Sequence, residues 1–150
     1  MADLISEAEQ ESQKLDFAYK RAHHILLMNV WTPTFFAKTH SPDSLNILLN
    51  NEYSQLMKPE DYLGGIKAMI PHDIYKSVGS DIKEIKNIIK ADMLIVSPTQ
   101  DHLVNPLSSI ELAKELNAEL VTLESDCGHA AFACESEKVK VAITAFLNDR

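Results

Sequence analysis

Glycine is scarce in this chain. Its four glycines stand at positions 64, 65, 79 and 128, and none belongs to a Gly-x-Ser-x-Gly turn. The strained elbow that exposes a nucleophilic serine at a strand end is therefore absent from these residues. Gly64-Gly65 lacks the preceding strand and the spacing of a dinucleotide loop, and no phosphate-cradling Walker pattern occurs. Cysteine is equally sparse, with Cys127 and Cys134 alone and no Cys-x-x-Cys. That usage predicts no disulfide framework and a reducing, cytoplasmic setting. No run approaches the roughly 20 apolar residues that span a bilayer. The acidic start MADLISEAEQESQKLDF has no positively charged region or apolar core of an export signal. Positive charge is also in deficit, with 14 Lys and Arg against 22 Asp and Glu, a formal net charge of −8. Nucleic acid and anionic membrane surfaces are thus not expected as partners.

What is present divides the chain in two. The 150 residues, 45% of them hydrophobic, suffice for one ordinary core. Residues 1–79 read as a helical, lid-like segment. Leu4, Ala8, Leu15, Ala18, Ala22, Ile25 and Leu26 recur at helical spacing. Pro33, among Trp31, Phe35 and Phe36, predicts a break. Ser41 followed by Pro42 predicts a cap and first helical turn. A further helix is expected from near Pro59 to just before Pro71, with Tyr62, Ile66, Met69 and Ile70 as its apolar face. A last turn in HDIYKSVG should stop near Gly79. Tyr19, Tyr53, Tyr62 and Tyr75 do not recur as a base-stacking platform and read as packing residues.

Residues 80–150 change pattern. Ile82, Ile85, Ile88 and Ile89 suggest a short helix, and ADMLIVSP a strand buried on both faces. Asn105-Pro106 signals a helix start, and Ile110, Ala113 and Leu116 can cover a sheet. AELVTLES is the next strand, and Val139, Ile143, Phe146 and Leu147 mark a terminal helix. Strand, helix, strand and helix imply an α/β class with parallel pairing and a right-handed crossover. Two strands leave open edges, so further strands are expected, from a missing amino-terminal core or from a homo-oligomeric partner.

In such sheets, sites gather beyond the carboxyl ends of strands. Asp101, in IVSPTQDHLVNP, and His129, in ESDCGHAAF, each follow a strand-like run. A carboxylate beside an imidazole can fix its tautomer, and the imidazole can then shuttle a proton for a hydroxyl or thiol nucleophile. Read singly, Asp101 is a turn or capping residue and His129 a polar loop residue beside Gly128. His102 would compete with Asp101 rather than face it. Cys127 has no nucleophile context, Cys134 reads as a small packing residue, and Asp126, Cys127 and His129 are too crowded to converge on a metal. His23, His24 and His40 have no carboxylate-rich metal motif around them. His72-Asp73 reads as a lid contact, or more simply as a helix cap.

ADMLIVSPTQDHLVNP and LAKELNAELVTLESDCGHAAF resemble the end of the α/β-hydrolase fold, and specifically the homoserine O-acetyltransferase family. EDYLGGIKAMIPHDIYKSVG is similar to that family's lid-to-core segment. The resemblance implies a partial α/β-hydrolase fold, with a lid followed by the last two parallel strands and their helices. It assigns Asp101 as triad acid, His129 as triad base, and His72 and Asp73 as lid-side positioning residues. It implies acetyl transfer from acetyl-CoA, a substrate rather than a bound cofactor, to the homoserine hydroxyl, a step of methionine biosynthesis. Small-molecule partners and a dimer packed through the lid follow from the same likeness. The family's Gly-His-Asp-Ala-Phe is Gly128-His129-Ala130-Ala131-Phe132 here. Alternatives are a fragment of a general serine hydrolase such as an esterase, or an oligomerising fragment without catalysis. With its nucleophile elsewhere, the chain alone is expected to be inactive.

Overall fold

The structure is a computed structural model that describes residues 12–51, 58–73, 76 and 82–148. Tyr53, Tyr75 and the turn expected near Gly79 lie outside these residues. The chain forms two compact units, and the division is not a single cut. Residues 1–28 and 36–72 make one, and residues 29–35 and 73–150 the other.

The first unit is helical. Helix α1 is Ser12–Val30, α2 is Pro33–Thr39, α3 is Pro42–Asn51 and α4 is Pro59–Met69. Pro33, Pro42 and Pro59 each open a helix, where a missing N–H costs nothing. Ser41 Oγ accepts the Ser44 amide at 3.2 Å, the cap expected there. Ala18, Ala22 and Leu63 form the core, with Tyr62 against it. Tyr19 meets Tyr62 edge to face at 5.2 Å, as packing residues do. The apolar face of α4 differs from expectation. Leu63 is buried, whereas Met69 and Ile70 are 73% and 69% exposed. Periodicity marks a face but not where its covering neighbour stops.

The second unit holds the sheet. Helix α5 is Ile82–Ile88, β1 is Leu94–Pro98, α6 is Pro106–Leu116 and β2 is Glu119–Leu123. A single turn of 3-10 helix, Gly128–Ala130, leads into the short α7, Ala131–Cys134, and α8 is Ser136–Asn148. Asn105 caps α6 by accepting the Leu107 amide at 3.0 Å. Asn117 ends it in the left-handed region, φ 51°, where its short polar side chain is tolerated. The turn returns the chain for parallel pairing with β1, in register from Leu94 opposite Glu119 to Pro98 opposite Leu123.

The core of this unit is Leu123, Cys127 and Ala131, ringed by Trp31, Phe35, Val96, Val121 and Val139. Complete burial of a side chain such as Leu123 contributes about 1.5–3 kcal/mol. Strand β1 is only half-buried apart from Ser97, not covered on both faces. On α5 Ile85 is buried but Ile88 is 61% exposed. Helix α8 has no buried residue, and Val141 and Leu147 are each 66% exposed. The described sheet therefore has two strands with unpaired outer edges.

Cys127 and Cys134 are joined by a disulfide, which corrects the expectation of unbridged cysteines. The short turn and α7 fold the chain back, bringing their Cα atoms to 6.5 Å, within bridging range. Spacing in the sequence does not reveal that reversal. The bond also removes Cys127 as a free thiol and Cys134 as a simple packing residue. Among the described residues no helix is long and apolar enough to cross a membrane.

Candidate active site

Parallel strands carry their carboxyl ends to one edge of the sheet, so the loops after β1 and β2 leave side by side. Hydrogen bonds continue the pairing past the last strand residues. Pro98 has no N–H, and Thr99 supplies the next donors, its amide at 2.8 Å and its hydroxyl at 3.1 Å from Leu123 O. Gln100 Nε2 then donates to Glu124 O at 2.8 Å. This zipper fixes the two loops against each other before either functional side chain appears.

Asp101 has two duties, one for each oxygen. Oδ1 accepts the amides of Leu103 and Val104, both at 2.8 Å, which closes a local turn. Oδ2 accepts from His129 Nδ1 at 2.8 Å. One carboxylate thus both closes the turn and bonds the imidazole. Burial pushes the Asp101 carboxyl upward. Hydrogen bonds from Val104, His129 and Leu103, with the charge of His129, outweigh burial and hold it below its ordinary value. An ionised carboxylate only accepts, so Nδ1 carries the shared proton and Nε2 points away from the carboxylate. The Asp101 side chain is 5% exposed and that of His129 37%. The carboxylate is shielded while the imidazole can be reached.

His129 lies in the Gly128–Ala130 turn. Gly128 has φ +63°, and a Cβ there would stand 2.7 Å from Val30 O. Only glycine suits that backbone and that approach. Thr32, itself buried, donates its hydroxyl to Asp126 O and accepts the Phe35 amide at 3.1 Å. Beyond the turn, Glu135 Oε1 accepts the amides of Glu124 at 2.7 Å and Ser125 at 2.8 Å. These contacts were not foreseen from the sequence, where Glu135 reads only as an acid before a helix. An acid beside a helix start was the one available signal.

Val96, Pro98, Val104, Pro106 and Phe132 line a cleft of about 250 Å³ beside the pair. Its apolar walls lower the local dielectric around the imidazole. Among the described residues, neither Asp101 nor His129 hydrogen-bonds a serine or cysteine side chain. Their bonds involve neither His72 nor Asp73. His72 is exposed after α4, its amide donating to Met69 O at 3.1 Å, and Asp73 beside it is also exposed. His102 is exposed next to Asp101 and lies outside the pair. Among the described residues no group of His, Cys, Asp and Glu could hold a metal ion.

No protein-family model matches the chain. Among curated proteins it is similar to the homoserine O-acetyltransferase of Methanosalsum zhilinae, 33% identical over 102 residues, which are 65% of this chain and 20% of that protein. Among solved structures it is similar to the acetyl esterase MekB, with a TM-score of 0.78 and 19% identity, over 99% of this chain and 47% of that one. The chain thus spans about a fifth of the curated relative and about half of the solved structure. At 19% identity the second likeness speaks for the fold alone. Fold and sequence together make this chain a partial α/β-hydrolase fold whose sequence resembles the homoserine O-acetyltransferases.

Proposed function

We propose that this chain supplies the acid and base of an acyl-transfer site whose nucleophilic serine comes from outside these 150 residues. The observation that carries the reading is the 2.8 Å hydrogen bond from His129 Nδ1 to Asp101 Oδ2 at the carboxyl edge of a parallel sheet. Nε2 takes the proton of the attacking hydroxyl. Asp101 stabilises the imidazolium that results, and the proton then passes to the leaving thiolate of the acyl donor. In the second half-reaction Nε2 takes the proton of the acceptor hydroxyl as its oxygen bonds the acyl carbon, and returns that proton to the serine oxygen as the acyl-serine bond breaks. Homoserine as acceptor and acetyl as the transferred group are what the name of the Methanosalsum zhilinae relative supports, and acetyl-CoA is the donor this reading assigns.

In this reading the open sheet edges receive strands from an α/β core or from a second copy of the chain. The helical unit acts as a lid, with His72 and Asp73 positioning substrate, and lid packing supports a dimer. A cytoplasmic setting belongs to the same reading and requires the Cys127–Cys134 bond to form there; alkylation of thiols in intact cells tests that. A general serine hydrolase such as an esterase is the alternative reading of the same pair.

The test joins this chain to an α/β segment bearing a Gly-x-Ser-x-Gly elbow. The product is assayed with acetyl-CoA plus homoserine, and separately with a simple acetyl ester. Acetylhomoserine formation is expected. Ester hydrolysis without transfer replaces the acyltransferase by the esterase. In either case Asp101→Asn should lower turnover by about 10⁴-fold, since the asparagine favours the wrong imidazole tautomer. Turnover indifferent to that substitution would show that the pair performs no relay.

A further inference from the structure

We infer that Glu135 is a positioning residue for His129, setting the base by closing the loop that carries it. The inference rests on the reading of His129 as base, but its geometry can be examined without turnover. Strand pairing ends at Leu123, and the next two amides, of Glu124 and Ser125, have lost the regular ladder just where the chain departs for the site. Glu124 is exposed, but Ser125 is part-buried, and a backbone donor there needs an acceptor. One carboxylate oxygen, Glu135 Oε1, serves both, at 2.7 and 2.8 Å.

Glu135 is itself held. Its amide donates to Ala131 O at 2.8 Å, and its carbonyl accepts the Val139 amide at 3.1 Å. Its second oxygen lies 3.5 Å from Lys138 Nζ, which also donates to Thr122 O at 2.7 Å. The start of α8 is thereby fastened to the end of β2 at both strand carbonyl and loop amides. His129 lies inside the closed segment, and the Cys127–Cys134 disulfide makes a second, shorter closure within the same loop. Removing the carboxylate leaves the disulfide ring intact but frees its root. The imidazole then loses the fixed origin from which Nδ1 reaches Asp101.

The experiment uses the 150-residue chain with its histidine rings labelled with ¹⁵N. The His129 Nδ1–H signal, assigned by its loss in His129→Gln, is followed near neutral pH. Glu135→Ala should speed its exchange with solvent by about tenfold or remove the signal. Glu135→Gln, whose amide oxygen can still accept both amides, should retain it. Glu135→Asp, charged but one methylene shorter, should lose it. The Thr99 amide, bonded to Leu123 O, reports the sheet in the same spectra and should stay protected. If the alanine variant does not fold, the glutamine and aspartate variants decide. An unchanged Nδ1–H in the aspartate and alanine variants overturns the inference. So does its loss in glutamine with retention in aspartate, which would make charge rather than reach the requirement. Parallel loss of Thr99 protection would reduce Glu135 to a general structural residue. Failure of acyl transfer alone, with these signals as expected, would count against the proposed reaction and not against the role of Glu135.

Discussion

The loop bearing Asp101 and the loop bearing His129 leave adjacent strands, yet they are held in opposite ways. Asp101 builds its own support, because the same carboxylate that faces the histidine closes the turn onto Leu103 and Val104. The His129 side chain instead bonds across to Asp101. Its position is set by Gly128 against Val30, Thr32 on Asp126, a disulfide, and Glu135 reaching back eleven residues. Asp101 is locally determined and His129 is determined at a distance. A pair built this way keeps its carboxylate through most local damage and loses its imidazole through several independent lesions.

The strongest way to break that contrast is Gly128→Ala. A Cβ at that position meets Val30 O at 2.7 Å, Thr32 N at 3.3 Å and Gln100 O at 3.4 Å, all of them backbone atoms. Backbone cannot swing aside as a side-chain tip can. The positive φ adds its own strain. Together these should cost about 2–4 kcal/mol, read from urea unfolding. A loss below about 0.5 kcal/mol would mean that the close approach yields freely, as surface positions do, and that the His129 loop is not fixed from that side.

Next in size is the disulfide, and it sharpens the comparison because no equivalent exists on the Asp101 side. Bridging residues seven apart restricts a short loop of the unfolded chain. Loop-closure entropy puts the stabilisation at about 2–3 kcal/mol. Double replacement by serine, or reduction by a dithiol, should lower the free energy of unfolding by that amount, read from urea unfolding. The turn at Asp101 should remain, and protection of the Leu103 and Val104 amides from exchange reads it directly. If those amides lose protection as fast as the His129 loop does, the two loops form one cooperative unit and the contrast fails.

The same contrast explains what the sequence reveals. The pair was legible because each member follows a short apolar run, and strand, helix and strand force both loops to one edge. Helix starts at Pro42, Pro59 and Pro106 were legible because capping chemistry is local. The supports of His129 were not. Thr32 stands 94 positions from Asp126, and Cys134 meets Cys127 only because a turn reverses between them. Nothing in the spacing of Glu135 says that two amides await it. Apolar periodicity likewise located the faces of α4, α5 and α8 without saying that Met69, Ile88 and Val141 stay exposed. That depends on which element arrives to cover them.

The smallest expected effect belongs to Asp101→Asn examined for stability rather than turnover. The asparagine oxygen can still accept the Leu103 and Val104 amides, so the turn should survive. Its NH₂ then faces Nδ1, and the imidazole must move its proton to Nε2 to accept from it. What is lost is the charge-assisted bond, about 1 kcal/mol in this half-wet setting. The sign with pH follows from the lowered carboxyl of Asp101. A group depressed in the folded state contributes fully above its unfolded value, about 4, and loses that contribution as pH falls through the lower folded value. The stability gap between wild type and Asp101→Asn should therefore close as pH falls from about 4 through the lower folded value of Asp101. Glu135 is depressed too, through its bonds from Ser125 and Glu124 and the nearby Lys138, and remains in both proteins. Its titration cancels from the difference. Unfolding curves of the two proteins from neutral to strongly acid pH make the measurement. A gap that widened toward acid would mean the Asp101 carboxyl is raised in the fold, so that His129 faces a group ready to donate a proton rather than one holding it in place.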